Sequence, residues 1–376
     1  MNIAFFCIPA HGHTNPTLAV VRELTARGHT VRYYTTEAFR AKVEAAGAVF
    51  VPFDTEAARP GMTAADGARL GSDLAFSTKL IVDLTLAADD WLSRELTAHR
   101  PDVIAGDSMA FWAKLAAKKH GIPFVSSTTT FAFNRFSAKV IEQNGAGFLQ
   151  FLLAQPRINR QLKRLRAAGY AVKSVFDIIA NDNETETVVY TSPDFQPCAD
   201  TFSEKYHFVG PLLRPAQSSF EKLPGRSLIY ISLGTVNNDA LPFYRACLAA
   251  FGGDPRFQLV LSAGTQTDLA ALGPIPENCT VRASVDQMAV LDCADVFLTH
   301  CGMNSASEGL WHGLPLVLYP QTPEQHGVAN RVAALGAGVP LTDPSADGIR
   351  RAVETALTDP SYRENAQKLA DSFRRC

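Results

Sequence analysis

Short apolar runs alternate with helical segments along this sequence, and this alternation limits the fold more than any other feature. In the first half, the runs NIAFFCI, TVRYYT and PDVIAGD each precede a segment of 3.6-residue periodicity, at Pro16–Arg27, Glu37–Ala46 and Ser108–His120. The run PFVSST follows the third of these segments. Strands that alternate with helices in this way pair in parallel through crossover helices, so the pattern predicts an α/β fold.

The second half repeats the pattern with the runs SLIYISL, FQLVLSA, DVFLTH and LPLVLYP, each followed by a candidate helix. Between the halves lies a segment rich in Pro, Ser and Gly, GPLLRPAQSSFEKLPGR, which is the candidate linker. At 376 residues the chain is also too long for one typical core. We therefore predict two Rossmann-like, doubly wound parallel-sheet domains that face each other across a cleft, at 1–212 and 225–376, with a linker at 213–224.

Charge and composition exclude several classes of protein. The net charge is −2 and charged residues make up 19% of the chain, so no basic surface for nucleic acid is expected. No run of 18 apolar residues is present, and the start MNIAFFCIPA lacks the basic residues of a signal peptide. The seven cysteines include no C-x-x-C pair, which is typical of proteins whose thiols stay reduced. We expect a cytoplasmic protein without a membrane span.

The segment DVFLTHCGMNSASEG, at 295–309, places a polar loop between a strand and a helix. We predict that the strand ends at the threonine and that the helix begins at Asn304 or Ser305, since Asn and Ser are favoured N-cap residues. The unpaired first amides of such a helix and its dipole form an anion site, which a ligand could approach closely at Gly302. His300 would add a hydrogen bond to a phosphate oxygen. A capped helix with a buried histidine explains the segment equally well when it is taken alone.

The first strand–helix connection, CIPAHGHTNPTL, contains a candidate general base. Asn15 and Pro16 are a favoured N-cap and first helical residue, so we expect His13 at the end of the first strand, beside a helix N-terminus. The helix dipole disfavours a charged imidazole there, which leaves the ring able to accept a proton. Asp107, at the end of PDVIAGD, would orient the ring as the acid does in a catalytic triad. The alternatives are a histidine bound by turn backbone and, for Asp107, a plain cap of the helix that begins at Ser108.

Three ordered segments in the second half resemble the donor-binding signature of the nucleotide-diphosphate-sugar-dependent (UDP-dependent) glycosyltransferases. They are VDQMAVL at 285–291, THCGMNSASE at 299–308 and PQTPEQHGVAN at 320–330. PAHGHTNPTLAVVREL near the start and VVYTSPDFQP with YHFVGP before the linker extend the resemblance to nearly the whole chain. The resemblance is strongest to the bacterial macrolide- and flavonoid-glucosylating branch. It implies the GT-B fold and transfer of a sugar from a nucleotide diphosphate to a hydrophobic small-molecule acceptor such as a flavonoid, polyketide or macrolide.

The resemblance also implies roles for single residues of the second domain. Glu308 would bind the ribose hydroxyls, and Glu324 with Gln325 would hold hydroxyls of the transferred sugar. The Val285 backbone and Gln287 would lie beside the base and the ribose. The residues that would hold the diphosphate are Ser232, Gly234, Thr235, His300, Gly302, Asn304 and Ser305.

One position departs from the family pattern and bears on the choice of nucleotide. Plant members carry a Trp that stacks on uracil where this sequence has Ser284, so uracil would be held mainly by backbone hydrogen bonds. Gln325 matches the family's usual glucose-binding residue, and the expected donor is UDP-glucose. A TDP-linked deoxysugar is the alternative. The donor is a co-substrate, and no cofactor is expected.

For catalysis the resemblance points to the same pair, with His13 as base and Asp107 as its partner. The deprotonated acceptor would displace the diphosphate in one step and invert the anomeric carbon, while helix amides and His300 stabilise the leaving group. No Asp-x-Asp pair occurs in the sequence, so we expect no catalytic metal. An NAD-dependent dehydrogenase is disfavoured because PAHGHTNP contains no G-x-G-x-x-G. A catalytically silent relative is disfavoured because His13, Asp107, Glu308 and Gln325 are all present.

The acceptor is expected on the first domain, where a flexible loop at 54–80 would border its entrance. The family commonly ends with a further helix that crosses back to the first domain. Here either the last helical segment, Ser361–Arg375, is a shorter form of that helix, or the sequence stops before it. Six aromatic residues are candidates for an apolar wall, although aromatics at such spacings lie more often in the core: Phe111, Trp112, Phe131, Phe133, Phe136 and Phe148.

Overall fold

The chain forms two compact units. The first contains Met1–Tyr190 and Gln196–Leu212, and the second contains Thr191–Phe195 and Leu213–Cys376. The short segment Thr191–Phe195 thus belongs to the second unit, although the sequence pattern assigns it to the first domain. Most of the predicted loop at 54–80 lies outside the described residues. The computed structural model describes, with only the backbone at 147–153, residues 1–53, 73–134, 136–137, 147–181, 183–235 and 238–376.

The first unit is built on a parallel sheet. Its strands are β1 (Asn2–Phe6), β2 (Thr30–Thr35), β3 (Val49–Pro52), β4 (Val103–Asp107), β5 (Phe124–Thr128), β6 (Glu186–Val189) and β7 (Tyr206–Phe208). They pair in the order β3-β2-β1-β4-β5-β6-β7. The helices are α1 (His11–Ala26), α2 (Arg40–Ala45), α3 (Leu74–His99), α4 (Phe111–His120), α5 (Gly147–Ala167) and α6 (Phe176–Ile179). Phe5 and Phe6 on β1 belong to two different hydrophobic clusters, as expected for a strand buried on both faces.

The second unit repeats this architecture. Its strands are β8 (Ser227–Ser232), β9 (Phe257–Ser262), β10 (Cys279–Arg282), β11 (Val296–Thr299), β12 (Leu316–Leu318) and β13 (Gly338–Pro340). All of them pair in parallel, in the order β10-β9-β8-β11-β12-β13. The helices are α7 (Leu241–Phe251), α8 (Gln287–Leu291), α9 (Met303–Trp311), α10 (Pro323–Ala334), α11 (Ala346–Thr358) and α12 (Pro360–Arg374). The predicted α/β class with two doubly wound parallel sheets is confirmed.

The register of both sheets brings particular strand ends together. In the first unit Asp107 of β4 pairs with Ser127 of β5. In the second unit Ser232 of β8 pairs with Thr299 of β11, which pairs in turn with Leu318 of β12. Since all of these strands are parallel, the polar loops that follow them begin at the same edge of their sheet.

Several helix boundaries differ from the predicted ones. The helix expected from Ser108 begins at Phe111, and the segment predicted at Glu37–Ala46 consists of a 3₁₀ turn followed by α2. The last helix, α12, packs against α9 and α11 of its own unit. The candidate linker is held to the second unit, since the backbone N–H groups of Gln217 and Ser218 donate to a carboxylate oxygen of Asp286. Among the residues described, no helix is long and apolar enough to cross a bilayer.

Candidate active site

His13 and Asp107 meet at the carboxyl edge of the first sheet. His13 Nδ1 lies 2.8 Å from Asp107 Oδ2, and the side chains are 14% and 0% exposed, respectively. The other carboxylate oxygen, Oδ1, accepts a hydrogen bond of 2.9 Å from the Met109 backbone N–H. A carboxylate oxygen only accepts, so Nδ1 must carry the ring proton, and the lone pair of a neutral ring then lies on Nε2. This is the tautomer that a general base at Nε2 requires.

A third side chain, Thr129, contacts the same ring nitrogen. Its Oγ1 lies 2.9 Å from His13 Nδ1, and the residue is buried. Thr129 follows the last residue of β5, next to the strand that carries Asp107. Thr129 is not among the predicted site residues, although its place directly after the run PFVSST is a signal. His13 is therefore fixed from the ends of two neighbouring strands.

The predicted start of the first helix is wrong. Helix α1 begins at His11 with Ala10 as its N-cap, so His13 lies within the first helical turn rather than before it. Asn15, predicted as the N-cap, instead accepts a hydrogen bond from Lys42 Nζ at 3.1 Å. The turn forms early because Thr14 N–H already reaches the Ala10 carbonyl, at 2.8 Å. Pro favours the first helical position but does not forbid a helix that starts one turn earlier.

A cavity of about 70 Å³ opens beside Asp107. Phe111, Phe131 and Phe133 from the predicted apolar wall line it, together with polar side chains that include Ser126. The Oγ of Ser126 is buried without a hydrogen-bond partner among the described residues. The first unit thus holds a mainly apolar cavity that Asp107 lines together with other polar groups.

The remaining aromatic candidates lie elsewhere. Trp112 is not part of the wall: it is 2% exposed and packs in the core against Phe53, at a ring distance of 5.6 Å. The helical periodicity turns it inward toward α3, on the face opposite to solvent. Phe136 is exposed to 41%. The side chain of Phe148 lies outside the described residues.

In the second unit, the loops after β8 and β11 meet around His300. A Cβ on Gly234 would lie 2.6 Å from His300 Cε1, and a Cβ on Gly302 would lie 2.6 Å from His300 Nε2. Both distances are too short for a real side chain, so the two glycines leave the space that the imidazole fills. Gly234 also has a positive φ of 79° and donates its N–H to Ser232 Oγ at 3.3 Å. The two predicted halves of the diphosphate-binding set therefore contact each other.

Burial determines the charge of His300. It lowers the pKa of the imidazole to about 4, and the backbone of Ser232 opposes this shift only in part. Within the described part of the chain, its buried Nδ1 atom makes no hydrogen bond of normal geometry. The ring is consequently neutral near pH 7, and it can donate one hydrogen bond.

The helix after this histidine starts earlier than predicted. Helix α9 begins at Met303, and its N-cap in an extended conformation is Gly302, which has no side chain with which to cap the helix. Asn304 and Ser305, predicted as caps, lie in its first turn instead. Cys301, in the left-handed region at φ 64°, directs the chain into the helix before either residue is reached. A glycine N-cap offers these first-turn amides no side-chain acceptor, and they follow directly on the loop that carries His300.

Glu308 belongs to a hydrogen-bonded chain of three side chains. Gln287 Nε2 donates to Glu308 Oε2, and Tyr230 OH donates to Gln287 Oε1 at 2.9 Å. Burial raises the pKa of Glu308, although the amide of Gln287 and the charge of Arg214 oppose the shift. Gln287 and Glu308 are predicted site residues, but Tyr230 is not, because its place inside an apolar strand carries no polar signal.

Helix α10 holds the candidates for the transferred sugar. Gln325 Oε1 accepts hydrogen bonds from the backbone N–H groups of Gln321 and Thr322, at 2.8 and 3.2 Å, as part of a capping box. Its carbonyl oxygen is thus used by the helix start, and its NH₂ group is the part that can reach a ligand. Glu324 is exposed in the same first turn. In the ranges that the structure describes, no three His, Cys, Asp or Glu side chains come together as a metal site.

Comparisons with known proteins agree with this architecture. Residues 257–374 match the family described as the C-terminal domain of erythromycin biosynthesis protein CIII-like proteins. The NDP-glycosyltransferase YjiC of Bacillus licheniformis is 33% identical, over 98% of this chain and 92% of the relative. The demethyllactenocin mycarosyltransferase of Streptomyces fradiae is also 33% identical, over 100% of this chain and 83% of the relative. The chain belongs to the bacterial natural-product glycosyltransferases.

Solved structures of glycosyltransferases extend the similarity to the fold. A crystal structure of the kitacinnamycin glycosyltransferase superposes with a TM-score of 0.83 at 31% identity, and covers 100% of this chain and 95% of the other. This glycosyltransferase therefore has the GT-B fold. Of its predicted site residues, the structure brings together His13 with Asp107, the two glycines with His300, and Gln287 with Glu308. Thr235 is exposed on the β8 loop, and Val285 precedes α8, partly buried.

Proposed function

We propose that this glycosyltransferase moves glucose from UDP-glucose to a hydroxyl of a hydrophobic macrolide, polyketide or flavonoid. The transfer inverts the anomeric carbon and uses neither a catalytic metal nor a cofactor. The observation that carries the proposal is the 2.8 Å contact between His13 Nδ1 and Asp107 Oδ2. With the proton on Nδ1, Nε2 takes the proton of the acceptor hydroxyl, and Asp107 stabilises the imidazolium that forms.

The proposed reaction is a single displacement. The acceptor oxygen attacks the anomeric carbon while Nε2 of His13 takes its proton, and the bond from that carbon to the diphosphate oxygen breaks with its electron pair. Attack from the side opposite the leaving group inverts the configuration. Thr129 keeps the imidazole plane oriented, because its hydroxyl meets the same nitrogen as the carboxylate.

The leaving diphosphate is stabilised by the second unit. A neutral His300 donates one hydrogen bond to a phosphate oxygen, and the first turn of α9, whose N-cap is a glycine, supplies backbone N–H groups and the positive end of its dipole. Charge that develops on the diphosphate is thus met by fixed donors. These donors support a reaction that needs no divalent cation.

Glucose as the transferred sugar is supported by Gln325. Its NH₂ group can donate to a sugar hydroxyl while the capping box fixes its rotamer, and exposed Glu324 beside it can accept from another hydroxyl. The similarity to a mycarosyltransferase favours a second candidate, which is transfer of a TDP-linked deoxysugar.

The donor and the stereochemistry are tested together by one assay. The purified protein is incubated with UDP-glucose or TDP-linked 6-deoxyhexoses and a library of phenolic and macrolide acceptors, with and without EDTA. We expect acceptor-dependent release of UDP that EDTA does not change, and a β-glucoside by the anomeric coupling constant. A preference for TDP-deoxysugars would overturn UDP-glucose as the donor. An α-linked product would overturn the single displacement. A lack of nucleotide release with every donor would overturn the activity itself.

A further inference from the structure

A buried hydroxyl lies behind the carboxylate that is proposed to bind the ribose. Tyr230 is on β8, in the interior of the second sheet, and is 1% exposed. Its ring stacks on Phe297 of β11 at a centroid distance of 4.8 Å and an interplanar angle of 16°. Its OH donates to Gln287 Oε1 at 2.9 Å. The phenol is therefore a fixed point, held by two neighbouring strands.

The direction of the hydrogen bonds determines how the Gln287 amide is oriented. The amide oxygen accepts from Tyr230, so the NH₂ group faces Glu308 Oε2. While Glu308 is ionised, the opposite orientation would place the amide oxygen against a carboxylate oxygen, and neither atom has a proton to donate. Burial also raises the pKa of Tyr230, so the phenol keeps the proton that it donates. Each link in this chain has one favourable direction.

Gln287 needs such an anchor. It is the first residue of α8, a helix of five residues, and its long side chain is only partly buried. A glutamine side chain loses substantial rotamer freedom when it is held in one conformation. A rigid neighbour that fixes it in advance removes this cost from ligand binding.

We propose that Tyr230 is a positioning residue, which orients Glu308 through Gln287 and so sets how strongly the ribose hydroxyls of the donor are bound. This inference rests on the proposed function, in which Glu308 binds the ribose. Tyr230 does not touch the nucleotide. Tyr230 affects only the part of the nucleotide affinity that depends on the ribose hydroxyls. The parts that depend on the base and the diphosphate stay unchanged.

The test compares two nucleotides that differ only in the ribose hydroxyls. Dissociation constants of UDP and of 2′,3′-dideoxy-UDP are measured by calorimetry on the whole protein and on Tyr230→Phe. We expect wild type to prefer UDP, and Tyr230→Phe to reduce this preference by about fivefold. That factor corresponds to the free energy of about one hydrogen bond. The affinity for dideoxy-UDP should stay within about twofold, because that nucleotide makes no use of Glu308.

Two further variants keep the result interpretable. Tyr244→Phe is the matched control: Tyr244 is also fully buried in this unit, but its hydroxyl has no hydrogen-bond partner among the described residues, so the UDP preference should not change. Gln287→Ala removes the middle link at a partly exposed site and should reduce the preference even if Tyr230→Phe does not fold. An unchanged preference in folded Tyr230→Phe, or an equal loss of affinity for both nucleotides, would overturn the inference. Wild type that binds neither nucleotide would overturn the proposed donor site itself.

Discussion

The two units place polar groups at the carboxyl ends of parallel strands but hold them in different ways. In the first unit, the His13 ring is fixed by side chains, with Asp107 and Thr129 on one ring nitrogen. In the second unit, the His300 ring is fixed by backbone shape, between two glycines that leave just enough space. Substitutions should therefore act differently in the two units. In the first unit they remove a group that contacts the histidine or the histidine itself, and in the second unit they displace the histidine ring.

The largest effect is expected from His13→Ala. Removal of a general base typically costs about 10²–10⁴-fold in rate, so kcat should fall by that factor while the dissociation constant of UDP stays unchanged. Release of UDP and calorimetry measure the two quantities. The control is His11→Ala, two residues earlier in the same helix, where the ring contacts Phe39 and lies at 3.4 Å from Lys42 Nζ. Equal losses in the two variants would contradict a chemical role for His13.

Gly302→Ala and Gly234→Ala test the opposite behaviour. Each added methyl would overlap His300 and push the ring out of place, and a shift of about 1 Å in a catalytic group can cost about 10²-fold. We expect kcat/KM to fall by about that factor, with a weaker affinity for UDP. Gly253→Ala is the control for backbone strain, since its φ is also positive, at 76°, but no atom of the described residues lies within 4 Å of the added Cβ. If Gly234→Ala and Gly253→Ala behaved alike, strain rather than overlap would explain the loss.

The buried state of His300 predicts a dependence of stability on pH. Burial lowers the pKa of this ring from its usual 6.5 to about 4 in the folded chain. Between these values the unfolded chain binds a proton that the folded chain does not, so the stabilisation is fully present above pH 6.5 and is lost as the pH falls toward 4. From pH 7 to pH 5 this amounts to about 2 kcal/mol. In urea titrations, His300→Gln should shrink the difference in unfolding free energy between these pH values by that amount; an unchanged difference would contradict the neutral, buried ring.

The smallest effect is expected from Thr129→Val. This change keeps the shape of the side chain and removes the hydroxyl that meets His13 Nδ1, while Asp107 keeps its own hydrogen bond. One hydrogen bond is worth about 0.5–1.5 kcal/mol, so kcat should fall only a few-fold, with no change in the affinity for UDP. Steady-state kinetics with Thr129→Ser as the rescue variant would check this. A loss as large as that of His13→Ala would mean that Thr129, not Asp107, is the main partner of the ring.

The architecture could be predicted because it follows from the whole pattern of apolar runs. Parallel strands put their carboxyl ends at one edge, so a histidine after β1 and an aspartate at the end of β4 were expected to meet, and they do. The resemblance to the glycosyltransferases rests on short motifs that follow one another in the family's order along the chain. The relatives confirm the family.

Other features depend on interactions that a sequence pattern does not contain. The starts of α1 and α9 were misplaced because N-cap preferences are worth only about 1 kcal/mol, and nearby turns at Ala10 and Cys301 outweigh them. Thr129 and Tyr230 were missed because their roles depend on strand register and side-chain direction. Trp112 was wrongly predicted to line the apolar wall of the acceptor site. Periodicity alone does not show which neighbouring element covers an aromatic side chain.

The central claim is that His13 takes the proton of the acceptor hydroxyl. The most direct test is kcat of His13→Ala with two acceptors of similar size: one phenol that is neutral at the assay pH and one that is acidic enough to be already ionised. If His13 is the base, we expect a loss of about 10²–10⁴-fold with the neutral phenol and nearly wild-type turnover with the ionised one, which needs no base. An equal loss with both acceptors would contradict it.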